Sequence, residues 1–371
     1  MKPVYFFLGA NSEEGFFSLY DQLLGGRLDD LMILKGGPGC GKSTFMRRMG
    51  AAMERAGERI VYINCSGDPD SLDGAIFLDR NAAIVDGTSP HVLEPTYAVA
   101  SERYVDLTRF YDVDAAKARR AEIVALSDEY RAHYRSAYRI LRAMGEVESE
   151  RRVAMHAQMD FSKLRRRTDG ILARELRSEG GGSGRVDRAF LGGVTHRGEI
   201  CRFDTVEALC PRIYTIIDSA GLGNEMLETV VQAAQAKHFD IIACPNPDRP
   251  RELHHVLIPE KGLAFITTNA RNPYDGKPYR RLRLDAMGGG KAHLPYPWLA
   301  HVILGAYGTA AGIFVGCTAV ALAEILNTFP ILFRRLYINR GLSGVMIAMA
   351  LGKMAGSFYY FFFGYGLPKY W

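Results

Sequence analysis

Four glycines, a lysine and a serine occur within the eight positions from 36 to 43, and this grouping is suited to phosphate chemistry. Glycines let main-chain amides turn inward around phosphate oxygens, a lysine reaches the β and γ phosphates, and a serine hydroxyl binds Mg2+. The string GGPGCGKST matches the pattern GxxxxGK[ST]. The predicted nucleotide-binding residues are Gly36, Gly37, Gly39, Cys40, Gly41, Lys42, Ser43 and Thr44. The expected ligand is ATP with Mg2+, and Lys42 is expected to take part in catalysis.

The elements around this string are those that such a loop requires. Residues 31–34 form a short apolar run typical of a buried parallel strand, and residues 45–53 continue with helical character. Residues 59–63 and 82–86 read as a second and a third strand. The sequence therefore predicts an α/β fold of the P-loop NTPase type, with a parallel sheet and flanking helices.

A P-loop also needs a carboxylate for its metal ion, and Asp86 is the candidate because it ends the third predicted strand. With Ser43 it forms the predicted metal site, and with Lys42 the predicted catalytic pair. The alternative is that Asp86 belongs to a turn, since Asp86-Gly87 is itself a turn signal. We interpret three further acidic residues as caps or turn residues: Asp68, Asp70 and Asp73.

The chain also contains an internal repeat at a shift of about 180 residues. Phe7-Leu8-Gly9 matches Phe190-Leu191-Gly192, and Gly39 and Gly41 fall opposite Gly221 and Gly223. In the second copy Asn224 and Glu225 stand where the first copy has Lys42 and Ser43. Loss of the lysine charge and gain of a carboxylate predict one competent nucleotide site and one structural or regulatory copy.

Between the copies lies a charged helical segment. Apolar and tyrosine residues recur at steps of three and four from 123 to 141, and a second charged helix is expected over 149–177. A lid, a partner-binding hairpin and a spacer all fit this helical arm. The predicted divisions are a P-loop domain (1–112), the helical arm (113–180), a degenerate second copy (181–287), a linker (288–297) and a membrane hairpin (298–366).

Composition and charge restrict the compartment and the partners. The net charge of +5 comes from residues 115–188, where 17 Lys and Arg face 11 Asp and Glu. Mixed charge on a helix is typical of a solvated face, so no nucleic-acid partner is expected. The six cysteines are scattered, which argues against a zinc site or a disulfide framework. With no secretory signal at the N-terminus, the nucleotide-binding part is expected in the cytoplasm.

The last seventy or so residues are strongly apolar. Residues 302–323 carry no charge and are long enough to span a bilayer, and residues 341–366 form a second apolar stretch interrupted by Lys353. Both predict a membrane hairpin, the alternative being a buried pair of core helices. Glu324 and Lys353 are functional candidates, because ionisable groups near membrane depth are costly.

The charges in the hairpin conflict with that location. Arg334, Arg335 and Arg340 lie between the two apolar stretches and place this connection in the cytoplasm, so the nucleotide-binding part would lie on the other side. Three explanations fit: the hairpin inserts against its charge bias, it needs upstream helices that are missing here, or a frameshift or gene-calling error joined the two halves. We favour an unusual or accidental fusion, because both parts are truncated near residues 288–293.

Two resemblances follow from these strings. Residues 7–287, with FFLGANSEEGFFSLYDQLL, LKGGPGCGKST, VDGTSPH and IIACPNPDRP, resemble a duplicated P-loop ATPase family of spore-forming Firmicutes. That resemblance implies ATP binding and hydrolysis through Lys42 and Ser43, but the second helical arm of that family is missing here after position 290. Residues 296–366, with GIFVGCTAVALAEILNTFPILFRR, resemble the C-terminal half of the stage V sporulation protein AB family. That family implies a membrane component of the machinery that moves dipicolinic acid into spores.

These observations lead to one expected function and two alternatives. The expected function is a Mg2+-dependent ATPase fused to a sporulation-type membrane segment, with sporulation membrane proteins as partners. The first alternative is a sporulation membrane transport component that takes up dipicolinic acid. The second is a small-molecule or nucleotide kinase, for which the sequence supplies no acceptor site.

Overall fold

Two six-stranded sheets dominate residues 3–287, the part of the chain that this computed structural model describes. The first half contains the strands β1 Val4–Phe6, β2 Gly9–Ser12, β3 Gly15–Ser18, β4 Asp30–Lys35, β5 Ile60–Asn64, β6 Leu72–Phe77, β7 Ala82–Asp86 and β8 Glu102–Asp106. The second half contains β9 Val186–Arg188, β10 Gly192–Thr195, β11 Gly198–Cys201, β12 Arg212–Ile217, β13 Ile241–Pro245, β14 Leu253–Ile258, β15 Leu263–Thr268 and β16 Arg280–Arg283. The helices are α1 Lys42–Arg55, α2 Val113–Ala118, α3 Arg120–His156, α4 Phe161–Glu175, α5 Phe203–Leu209 and α6 Asn224–Ala236.

The two sheets have the same strand order. The first runs β1-β5-β6-β7-β4-β8, and the second runs β9-β13-β14-β15-β12-β16. In each half a two-stranded hairpin, β2–β3 or β10–β11, follows the first strand. A helix starts seven residues after the end of β4 and of β12, at Lys42 and at Asn224. Around this loop the positions therefore correspond at a shift of 182, which sets Gly36 opposite Asp218.

The fold is mixed α/β with parallel strands, and one strand in each sheet departs from the predicted parallel arrangement. β6 is antiparallel to both β5 and β7, and β14 is likewise antiparallel to β13 and β15. The sequence did not predict β6 because Asp73 and Gly74, two residue types depleted in strands, lie at its start. The antiparallel strand allows β5, β6 and β7 to follow one another through short connections, without crossover helices.

The two halves pack through one shared hydrophobic core. Phe7 and Phe190, equivalent residues of the two halves, exchange main-chain hydrogen bonds of 2.8 Å in both directions. Both side chains are completely buried. The core around them takes residues from both sheets, among them Phe6, Ile33, Val85, Val206, Ile213, Leu257 and Ile266. Pairing of identical positions is the arrangement of a two-fold interface, here within one chain.

In the helical arm, the boundary between the two helices lies at a different position from the predicted one. α3 continues to His156, and α4 begins only at Phe161, where the Asp160 carboxylate caps it by accepting a 2.9 Å hydrogen bond from the Lys163 amide. α4 is not a free arm, because Leu164 and Ile171 are buried in a second core with α6. Most of α3 is exposed to solvent.

Within residues 3–287, none of the helices combines the length and hydropathy that a bilayer crossing requires. The predicted linker and membrane hairpin, with Glu324 and Lys353, lie outside the described residues.

Candidate functional site

The glycine-rich loop connects β4 to α1 at the edge of the first sheet where the parallel strands end. Gly39 and Gly41 have φ angles of 81° and 88°, in the left-handed region that side chains with a Cβ rarely adopt. Gly41 immediately precedes the first helical residue, Lys42. The loop therefore needs glycine at both positions to lead from the strand into the helix N-terminus.

The ammonium group of Lys42 folds back over this loop. Its Nζ donates to the carbonyl oxygens of Gly36 at 2.5 Å and Gly37 at 3.0 Å. It also lies 3.5 Å from Oδ2 of Asp86, and both side chains are 11% exposed. A positive charge is thus held at the loop carbonyls and beside the carboxylate at the end of the neighbouring strand.

Ser43 lies in the first turn of α1, which follows β4, and Asp86 is the last residue of β7. β4 and β7 are parallel neighbours with Leu34 opposite Asp86. The Ser43 hydroxyl accepts a 2.9 Å hydrogen bond from the Leu72 amide, which fixes the start of β6 against α1. Asp86 Oδ1 accepts from the amide and the hydroxyl of Thr88, at 2.9 and 2.6 Å. Its Oδ2 faces Lys42, so Asp86 is at once a turn residue and a member of the site.

The other predicted nucleotide-binding residues line the rim. Cys40 is partly buried, with its Sγ 3.9 Å from Lys42 Nζ, and Thr44 is exposed in the first turn of α1. Tyr111, which the sequence did not single out, donates a 3.0 Å hydrogen bond to the Pro38 carbonyl. Tyr111 therefore holds the outer side of the loop.

Three buried side chains form a cluster next to Lys42, and the sequence did not predict that they lie together. Asp73, Asp86 and His91 are each under 9% exposed, and one polar side-chain atom from each lies within 4.8 Å of the others. Asp73 lies in β6, whereas the sequence predicted that it would be a cap or turn residue. Burial, together with the negative charge of the neighbouring Asp86, raises the pKa of Asp73 to about 7. His91 follows β7 by five residues, and no pattern in the sequence links it to Asp73.

His91 is enclosed by aromatic rings. It stacks on Tyr20 with ring centroids 4.7 Å apart and lies 5.9 Å from the Phe16 ring. Among residues 3–287, neither ring nitrogen of His91 has a hydrogen-bond partner. Burial lowers the pKa of His91, which favours the neutral imidazole, the form that binds metals.

The corresponding loop of the second half is closed by its own side chain. Asp218 occupies the position of Gly36, and its carboxylate accepts hydrogen bonds from the amides of Leu222 at 3.0 Å and Gly223 at 2.7 Å. These are the amides that an incoming phosphate would need. Asn224 replaces Lys42 and accepts a 2.7 Å hydrogen bond from the Leu253 amide. Asp218 is thus a further reason, besides Asn224 and Glu225, to expect no phosphate at this loop.

Residues of the second half also contact the loop that precedes β6 in the first half. The tip of hairpin β10–β11 reaches the loop before β6, where the His196 amide donates to the Gly67 carbonyl at 3.3 Å and Arg197 pairs with Asp70. Asn11 donates to the carbonyls of Ser66 at 3.1 Å and Val194 at 2.8 Å. The loop that precedes Leu72 and Asp73 is therefore fixed by residues that lie more than a hundred positions away.

Comparison with known proteins gives one region of similarity. The family model for stage V sporulation protein AB matches residues 291–362. Stage V sporulation protein AB of Bacillus subtilis (strain 168) is 35% identical over 82 residues, which is 22% of this chain and 58% of the relative. No solved structure matches the chain. The C-terminal resemblance is thereby confirmed, while the resemblance of residues 7–287 to P-loop ATPases stays a prediction.

Proposed function

We propose that this chain is a sporulation membrane component whose first 287 residues bind ATP with Mg2+ and hydrolyse it. The sporulation part rests on the similarity of residues 291–362 to stage V sporulation protein AB. The chain spans 58% of that relative's length. In this proposal residues 298–366 insert against the charge bias of Arg334, Arg335 and Arg340, so that the ATPase part lies on the cytoplasmic side of the membrane, where ATP is available.

The nucleotide part rests on one observation, the Lys42 ammonium held over the loop carbonyls 3.5 Å from Asp86. A triphosphate replaces these carbonyls as partners of Lys42, because phosphate oxygens carry full charge and charge-assisted hydrogen bonds are stronger. The N-terminus of α1 adds its positive dipole end at the same place. Lys42 then stabilises charge on the β and γ phosphates.

The metal part of this proposal uses Ser43 and Asp86. A hydroxyl and a carboxylate oxygen are ligands that Mg2+ prefers, and both lie beside Lys42. Bound Mg2+ neutralises charge on the transferred phosphoryl group. Departure of Lys42 toward the phosphates leaves Oδ2 of Asp86 free for that role. The second half binds no triphosphate in this proposal, because Asp218 already occupies its loop amides.

The test compares ATP binding by the detergent-solubilised full chain and by its Lys42→Ala variant in isothermal titration calorimetry. Loss of the ammonium should weaken binding at least about tenfold, or about 1.4 kcal/mol. Lys117→Ala removes an exposed lysine of α2 and is the matched control. Equal ATP affinity of wild type and Lys42→Ala would contradict the nucleotide site.

A second proposal assigns transport of dipicolinic acid into spores to the C-terminal region, as its resemblance implies. In the sporulating organism, both Lys42→Ala and Lys353→Ala should then lower the dipicolinic acid content of spores. A loss with Lys353→Ala alone would favour transport without ATP use. A normal content with both variants would count against the transport role.

A further inference from the structure

We infer that Asp73, Asp86 and His91 hold a divalent transition-metal ion directly, before any nucleotide arrives. The inference shares Asp86 with the proposed magnesium site and in that respect rests on the proposed function. It adds two ligands, Asp73 and His91, and a different class of metal.

The geometry fits one metal ion. Ligand atoms that share an ion at about 2.0 to 2.2 Å lie about 3 to 4 Å apart. The three side chains here bring one ligand atom each within 4.8 Å of one another, with His91 Nε2 4.0 Å from Asp73 Oδ2. Side-chain movements of about 1 Å therefore complete the ligand set.

The unsatisfied groups point to a cation. His91 is 6% exposed, and both of its ring nitrogens lack a hydrogen-bond partner within residues 3–287. Buried polar atoms normally have a hydrogen-bond partner. A buried imidazole without such a partner, next to two carboxylates, therefore indicates a metal-binding position. The charges are compatible with a bound cation. Asp86 has Lys42 beside it, whereas the partner of Asp73 among the described salt bridges is His91, at 4.0 Å.

The ligand types favour a transition metal over Mg2+. Mg2+ prefers oxygen ligands and keeps several waters, whereas imidazole suits transition metals, and two carboxylates with one imidazole suit Mn2+. The second half does not have the same set of ligands at the equivalent positions. At a shift of 181, His254, Thr267 and Asn272 replace Asp73, Asp86 and His91, and this copy lacks the two carboxylates.

Lys42 links this site to the nucleotide loop. Without nucleotide its ammonium neutralises Asp86 and competes with a cation. When Lys42 turns to phosphate oxygens, the full charge of Asp86 becomes available to the metal. Nucleotide and metal should therefore strengthen each other's binding by the same factor.

The test is a titration of the nucleotide-free, chelator-treated full chain with Mn2+, followed by the electron paramagnetic resonance signal of free Mn2+. About one Mn2+ should bind per chain, and His91→Asn should weaken its affinity about tenfold or more. Asn is the residue found at the equivalent position 272, so this variant should fold, which a thermal unfolding curve checks. His133→Asn, an exposed substitution on α3, is the control.

The outcomes separate this inference from the proposed function. No Mn2+ binding, or equal binding by wild type and His91→Asn, overturns the metal site, while ATP binding lost in Lys42→Ala would still support the nucleotide site. Mn2+ binding that is retained or tightened in Lys42→Ala supports the metal site even if ATP binding fails. Mg2+ that displaces Mn2+ at equal concentration would overturn the assignment to a transition metal.

Discussion

Asp86 uses its two carboxylate oxygens for different purposes. Oδ1 closes a turn with Thr88, and Oδ2 faces Lys42. Asp106 ends β8, which lies on the other side of β4, and closes the same kind of turn with Thr108 at 2.8 and 2.6 Å, but it is exposed and is not among the described partners of Lys42. Of these two turn aspartates, only Asp86 has its second oxygen beside Lys42 and the glycine-rich loop.

This comparison yields a matched pair of variants. Asp86→Asn should lower Mg2+-dependent phosphate release by the full chain about 10- to 100-fold, because an amide cannot neutralise the metal charge. Asp106→Asn should leave the rate close to wild type. Phosphate release measured over a range of Mg2+ concentrations checks both. Similar rates for Asp86→Asn and wild type would remove Asp86 from the proposed metal site.

At the scale of elements, α4 is fastened to the second sheet by a buried carboxylate. Glu175 accepts hydrogen bonds of 2.6 Å from the Tyr214 hydroxyl and 2.6 Å from Arg212. Burial raises the pKa of Glu175, but these partners and Arg174 lower it more, so the pKa lies below its usual value. The ionised form is therefore the one that stabilises the fold.

The pH dependence of this contribution has a definite sign. A lowered folded-state pKa means that the stabilisation is present above the unfolded value of about 4.3 and is lost as pH falls through the folded value. Glu175→Gln should reduce the free energy of unfolding by about 2 kcal/mol at pH 7, since both arginines reach solvent. The difference should shrink below about pH 4.

Urea unfolding curves at pH 7 and at pH 3.5 measure this difference. The control is Glu179→Gln, which removes an exposed partner of Lys237 and should change little. A difference that stays the same at both pH values would mean that the charge of Glu175 does not hold α4.

At the scale of the whole molecule, the two halves of residues 3–287 are not independent units. Phe7 and Phe190 pair across a common core, and α3 contacts both halves, through Tyr138 to Asn11 at 2.8 Å and Arg152 to Glu252 at 2.7 Å. The second half therefore supports the first through this core and through α3. This explains physically why a degenerate copy is useful to the fold.

Cooperative unfolding of the two halves is the expected consequence. Phe190→Ala should destabilise the protein by about 3 to 5 kcal/mol, because it leaves a cavity in the shared core. Hydrogen exchange should then accelerate in β4 and β7 of the first half as well as in the second half. Phe110→Ala, 76% exposed, should have little effect. Unchanged protection in β4 and β7 would show that the halves open separately.

The local geometry of the proposed nucleotide site could be predicted from the sequence because each part depends on neighbouring residues. The glycine-rich loop between β4 and α1, the position of Lys42 and Asp86 at the end of β7 are encoded within short stretches, where residue type and spacing restrict the backbone. The repeat could also be read from its strings, and the equal strand order of the two sheets supports it. The similarity of residues 291–362 to a sporulation family likewise depended on sequence alone.

Only the tertiary structure brought Asp73 and His91 to the same place. They lie 18 positions apart on an unpredicted antiparallel strand and a loop, and their approach depends on β6 inserting between β5 and β7. The closure of the second loop by Asp218 also appeared only there, since its two acceptor contacts depend on a loop shape that spacing does not specify. The physical reason is that burial and long-range pairing decide which polar groups are left without partners, and these depend on the whole fold.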